Sequence, residues 1–141
     1  MKLVYFNARG LAETSRLLLA INKVDYEDFR YPLKIIDWAT HNMVKEEFEN
    51  DKKNDKLLSS LNKVPFLELD NGSVLPQSKS IERYLVNKYN MMGSSALEAA
   101  KIDSICECVR DFKDAYQTVR KLPDAEKEAG MTTWFNETLF N

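Results

Sequence analysis

Hydrophobic and polar positions change period along this chain, and each period predicts an element. KLVYF at 2–6 is a short unbroken apolar run, the pattern of a buried strand. NARG at 7–10 is a loop feeding a helix from Leu11 to about Lys23, with apolar residues at Leu11, Ala12, Leu18, Leu19 and Ile21. VDYEDFRY alternates like a second strand and ends near Pro32. Residues 35–61 are charge-rich, and KEEFENDKKNDKLL within them reads as a solvated helix and loop. PFLEL and SVL flank DNG, the chemistry of a tight turn, so residues 64–75 form two antiparallel strands. Ser78 starts a helix in which Ile81, Leu85 and Tyr89 recur every fourth residue.

The resulting order is βαβαββα. A helical crossover between the first two strands makes them parallel, and the hairpin adds antiparallel strands, giving an α/β fold with a mixed sheet under helices. NMMGSS at 90–95 breaks the composition, which predicts a first domain over 1–89, a linker over 90–94 and a helical domain over 95–141. In the last of these, Ile102, Ile105, Val109, Phe112 and Tyr116 form the seam of a long helix. Pro123 can open a further helix, whose buried residues are expected among Ala125, Ala129, Trp134, Phe135 and Phe140.

Composition narrows the function classes. A net charge of −2 over 141 residues provides no basic stripe for a phosphate backbone, so nucleic acid is not an expected partner. No secretory lead follows Met1 and no run reaches membrane-spanning length, so no membrane partner is expected. Cys106 and Cys108, two apart in a helical pattern, point to different faces, which suits neither a disulfide nor a shared metal site. A reducing cytoplasm is the expected location. His41, the only histidine, lies in the charged stretch, and no residue cluster has metal-ligand spacing.

Three blocks, KLVYFNARGLAE, VPFLELDNGSVLPQSKSIERYL and IDSICECVRDF, stand in order across about residues 2–112. Together they resemble the cytosolic glutathione transferases, and the sigma class most; residues from about 117 on are unmatched. The resemblance implies a thioredoxin-like first domain, an all-α second domain, glutathione as co-substrate without a metal, and a homodimer. It implies that the Tyr5 hydroxyl donates to the glutathione sulfur. A thiol of pKa about 8.5 is mostly unreactive at neutral pH, and lowering it by two units corresponds to about 2.7 kcal/mol. Taken alone, a tyrosine in a strand is a packing residue.

The resemblance also implies a cis Pro65 that exposes the backbone of Val64 to the cysteinyl part of glutathione as a short added strand. An ordinary trans proline at a strand start is the alternative. Gln77 and Ser78, at a helix N-terminus, match the seat of the γ-glutamyl carboxylate; simple capping by Ser78 is compatible with that role. Lys63 and Trp38 match the holders of the glycyl carboxylate, and Asp111 matches an acid that reaches across the dimer to the ligand's ammonium group. Without the resemblance, Lys63 and Asp111 are ordinary surface charges.

The chain departs from the family at several places. Leu11 stands where sigma-class proteins carry a thiolate-polarising arginine, Asn42 or a neighbour stands where a second carboxylate-binding lysine is common, and residues 39–62 make a longer excursion. Glu107 and Arg110 replace two acidic positions that support a divalent ion in some prostaglandin synthases, so prostaglandin synthesis is not expected. Residues 95–141 have room for two helices where the family has several, which implies a fragment or a shortened relative whose seam dimerisation covers. The leading expectation is a glutathione transferase acting on small electrophilic, mostly apolar compounds. The alternative is a glutathione-binding or structural relative with little turnover. A thiol–disulfide oxidoreductase on the same scaffold needs a cysteine just after the first strand, and NARG has none.

Overall fold

The computed structural model describes residues 1–37 and 42–138. The chain divides into two compact units, Met1–Met91 and Met92–Asn141.

In the first unit, β1 (Lys2–Phe6) lies between a parallel neighbour, β2 (Glu27–Tyr31), and an antiparallel one, β5 (Phe66–Glu68); β6 (Val74–Pro76) completes the order β2-β1-β5-β6. The mixed sheet expected from βαβαββα is therefore present. Both faces of β1 are covered, which explains its unbroken apolar run. Leu3 and Tyr5 face a core with Ala12 and Leu19 of the first helical segment, Leu67, and Ile81 and Leu85 of α3 (Ser78–Lys88). Val4 faces the other way, into a cluster with Tyr31, Phe48, Leu57 and Phe66. The DNG turn closes β5 and β6 with Gly72 at φ +80° and its amide donating to the Leu69 carbonyl at 2.9 Å.

The expected first helix begins differently. A 3-10 turn at Gly10–Ala12 leads into α1 (Glu13–Ile21), and of the apolar residues of this stretch Leu11 and Ile21 are exposed. The larger correction concerns residues 35–61. They build β3 (Lys34–Asp37), which pairs with β4 (Asn42–Val44), then α2 (Glu46–Lys53) and a 3-10 turn at Leu58–Ser60. This stretch is not simply a solvated surface. Phe48 and Leu57 are buried under the sheet, with the Phe48 ring centroid 5.2 Å from Phe6 and 5.7 Å from Tyr31. The Tyr31 hydroxyl donates to Asp51 at 2.8 Å, and Lys56 holds the same carboxylate at 2.7 Å. Two apolar residues in a charged run, placed against one open sheet face, suffice to dock it.

The second unit consists of α4 (Ala96–Arg120), α5 (Asp124–Thr133) and a π-helical turn at Trp134–Thr138. Ser95 caps α4 by accepting from the Glu98 amide at 3.2 Å, and the Glu98 carboxylate accepts from the Ser94 hydroxyl at 2.7 Å, a variant of the capping box. Trp134 is buried among Phe112, Tyr116 and Phe135 at centroid distances of 4.7, 5.2 and 4.9 Å. The expected seam is only partly used: Ile105 and Val109 are 65% and 62% exposed. Ala125, Ala129 and Phe135 are exposed as well, and among the described residues Trp134 is the buried aromatic of this unit. Phe140, like Trp38 and His41, lies outside the described residues.

Candidate functional site

Tyr5 is the penultimate residue of β1, and its ring is buried in the core beneath α1. Its hydroxyl accepts a hydrogen bond from the Leu11 amide at 3.2 Å, which leaves the phenolic proton to be donated elsewhere. The loop after β1 comes this close because of Gly10. At φ +44°, a Cβ there would lie 2.6 Å from the Tyr5 oxygen.

The same loop is held from below by Arg16. Its Nη1 donates to the Ala8 carbonyl at 2.7 Å, its Nε donates to Asp28 at 3.1 Å, and its guanidinium carbon stands 6.0 Å from the centre of the Tyr5 ring. Asp28 also receives Arg30 at 2.6 Å. Sequence reasoning missed both Gly10 and Arg16. The available signal was a charged residue on the stripe Ala12, Arg16, Leu19, since an arginine at a core position is rarely without a fixed partner.

Beside this loop a cleft of about 330 Å3 gathers Lys63, Val64, Pro65, Gln77 and Ser78. The Val64–Pro65 peptide bond is cis, so of the two isomers open to the sequence the structure has the one the resemblance implied. Gln77, at φ +74°, turns the chain from β6 into α3, and no side chain caps the first turn of that helix. Ser78 therefore is the first helical residue and not the cap, and the amides of that turn remain available to an anion. Three further polar residues join the cleft: Lys45, Lys52 and Asn62. Lys45 is the residue just before α2 and Lys52 lies in its last turn. Nothing in the charged run singles them out before the stretch is folded. The buried Asn62 Oδ1 finds no donor among the described residues.

A second, mostly apolar cleft of about 770 Å3 is lined by Tyr5, Ile35 and Met43 among others, and shares Phe6 and Lys45 with the first. Asp111 is exposed on α4 in the second unit, and Trp38 falls outside the described residues. Arg110 and Glu107 pair with each other on the same helix. Among the described residues no group of three or more His, Cys, Asp or Glu could hold a metal ion, and no helix is long and apolar enough to cross a membrane.

The strand–loop–helix frame, the cis proline and the Gln-Ser turn are those of a thioredoxin-like glutathione-binding domain. Residues 1–87 match the family described as glutathione S-transferase, N-terminal domain, and the chain belongs to that family. Within it the chain is sigma-like. It is 34% identical over 140 residues to the hematopoietic prostaglandin D synthase of Gallus gallus, covering 99% of this chain and 59% of that protein. It is 29% identical to S-crystallin SL11 of Nototodarus sloanii, covering 96% of this chain and 58% of the relative. The solved structure of prostaglandin synthase D of Nilaparvata lugens superposes with a TM-score of 0.75 at 31% identity, over 98% of this chain and 61% of that one. The chain thus spans about three fifths of the length of these relatives. The family uses glutathione as its co-substrate.

Proposed function

We propose that the protein is a glutathione transferase that conjugates the glutathione thiolate to small, electrophilic, mostly apolar compounds. The observation that carries this reading is the Tyr5 hydroxyl, whose oxygen already accepts from the Leu11 amide and whose proton is free to donate to a sulfur. That donor favours the thiolate, the nucleophilic form. The thiol proton passes to solvent, the sulfur–carbon bond forms, and the leaving group departs with its bonding pair.

The chain's other residues position the tripeptide. The Val64 backbone pairs with the cysteinyl segment, and Gln77 with Ser78 seats the γ-glutamyl carboxylate at the uncapped start of α3. Lys63 receives the glycyl carboxylate together with Trp38, and Lys45 and Lys52 in the same cleft add to that seat. Asp111 of a second subunit binds the ammonium group, so the working form is a homodimer, in the cytoplasm.

Tyr5→Phe tests the reading: at pH 7, conjugation of 1-chloro-2,4-dinitrobenzene falls about 25-fold, the thiolate population that a shift from about 8.5 to about 6.5 supplies, with glutathione affinity nearly kept. An unchanged rate removes Tyr5 from the mechanism. A second reading, glutathione binding without useful turnover, is favoured by Leu11, which brings a backbone amide and no cation to the phenol. Titration calorimetry with micromolar glutathione binding and no conjugation would select it.

A further inference from the structure

We infer that the Asn71–Gly72 junction is a self-modification site: in the folded protein Asn71 converts to aspartate and isoaspartate, and the isoaspartate loosens the hairpin that carries the Gln77–Ser78 seat. The conversion is independent of the transferase reading above; only its effect on the seat rests on that reading.

Asn71 is the one asparagine of the chain that a glycine follows. Its side-chain carbonyl carbon is tethered to the Gly72 nitrogen, so attack by that nitrogen closes a five-membered ring and needs no second molecule. A side chain on the following residue would crowd the nitrogen, and glycine has none. The fold leaves the junction open. Asn71, Gly72 and Ser73 are exposed, and apart from the chain neighbours nothing lies within 4 Å of the place a Cβ on Gly72 would take. Among the described residues the Asn71 side chain bonds to nothing outside the turn; its Oδ1 accepts from the Ser73 amide at 3.0 Å. The side chains of Asn22, Asn54 and Asn87, by contrast, each donate to a carbonyl four residues earlier. The Gly72 amide donates to the Leu69 carbonyl at 2.9 Å and must release it to react, one exposed bond at a loop tip, where local opening costs least.

The step balances without an oxidant or a reductant. Hydroxide takes the Gly72 amide proton, the nitrogen bonds to the Asn71 side-chain carbonyl carbon, and the bond from that carbon to Nδ2 breaks. The Nδ2 nitrogen takes a proton from water and leaves as ammonia. One water molecule then opens the cyclic imide. Opening at the side-chain carbonyl gives aspartate; opening at the main-chain carbonyl gives isoaspartate, whose main chain runs through the former side chain and is one carbon longer.

The fold has little slack to absorb that carbon. β5 and β6 are three residues each, paired Glu68 with Val74, Leu67 with Leu75 and Phe66 with Pro76. β6 is an edge strand, paired in the sheet with β5 alone, and Gln77 and Ser78 follow it directly. Loop length sets hairpin register, so a longer loop no longer closes on the bond from the Leu69 amide to the Ser73 carbonyl at 2.9 Å. The pairing of β6 weakens, and the seat shifts with it.

The test incubates the full chain in warm, mildly alkaline buffer beside the free peptide ELDNGSVL. Peptide mapping by mass is expected to show Asn71 of the folded protein gaining about 1 Da at a rate within about tenfold of the peptide, with Asn22, Asn54 and Asn87 unchanged. Isoaspartyl methyltransferase labels the product. Once separated, the isoaspartyl form exchanges its β6 amides faster and binds glutathione about threefold more weakly by calorimetry, whereas fresh Asn71→Asp, which adds the charge without the extra carbon, keeps the wild-type affinity. The inference is overturned if folded Asn71 stays intact while the peptide converts fully, if the isoaspartyl form keeps wild-type exchange and affinity, or if Asn71→Asp weakens binding equally. Failure of the transferase reading would show instead as no glutathione binding by the unmodified chain, with the mass and exchange results unaffected.

Discussion

The two units carry apolar periodicity of similar clarity and use it very differently. In the first, Leu3, Leu19, Leu67, Ile81 and Leu85 are fully buried, because a sheet presents a continuous surface on which two helices close. In the second, neither α4 nor α5 buries a single residue, and packing centres on Trp134. A stripe on a helix is a capacity for burial; only a matching surface turns it into stability. Apart from Asp111, the described site residues lie within the tightly packed unit, where side chains can be held to fractions of an ångström.

The sharpest test of this contrast removes volume from the denser core. Leu85→Ala is expected to cost about 3 kcal/mol, read as a lower urea midpoint with an unchanged slope. A cost under about 1 kcal/mol would mean that the core collapses around the gap and that the two units do not differ in kind. In the second unit, Trp134→Ala should cost less, about 2 kcal/mol, since its aromatic neighbours are partly hydrated already. Hydrogen exchange would then show α5 amides exchanging faster while those of β1 and β5 keep their protection. Equal loss of protection in the sheet would break the comparison.

Closer to the site, Gly10→Ala places a methyl group against the Tyr5 oxygen in a left-handed conformation and is expected to cost about 1 kcal/mol. Conjugation would fall about tenfold with glutathione affinity little changed. Retained turnover would mean that the phenol tolerates displacement.

The smallest effect concerns the pin between β2 and α2. Burial, then the Asp51 hydrogen bond, pushes the Tyr31 phenol up, and the Lys56 hydrogen bond, then that of Tyr31, holds the Asp51 carboxyl below its ordinary value. The Asp51 contribution is present above the ordinary carboxylate pKa and is lost as pH falls through the lowered folded value. The Tyr31 contribution is present below the ordinary phenol pKa and is lost as pH rises through the raised one. The window therefore runs from about pH 4 to about pH 10. Tyr31→Phe should lower the Tm by a few degrees at pH 7 and by less at pH 3. Equal shifts at both would remove the charge of Asp51 from the account.

Much of the frame was legible in the chain because its determinants are local. The DNG turn, the apolar run of β1, the recurrence of Ile81 and Leu85, and the start of α4 each depend on neighbours within a few residues. The Val64–Pro65 and Gln77–Ser78 pairs entered through the family resemblance, since the residues alone left Pro65 open to either isomer and Ser78 open to simple capping. The β3–β4 hairpin was not legible, since its strands are short and flanked by charge, and it gains order from a sheet face formed by distant residues.

By itself the sequence determined the mixed sheet of β1, β2, β5 and β6 and the helices packed on it, because local backbone preference and side-chain period act over a turn or two of chain. Only the tertiary structure decided that Phe48 and Leu57 close the second sheet face, that Arg16 and Gly10 hold the loop against Tyr5, and that the α4 seam stays largely open. Those outcomes depend on which surfaces meet across long stretches of chain, and burial belongs to the pair of surfaces and not to either one.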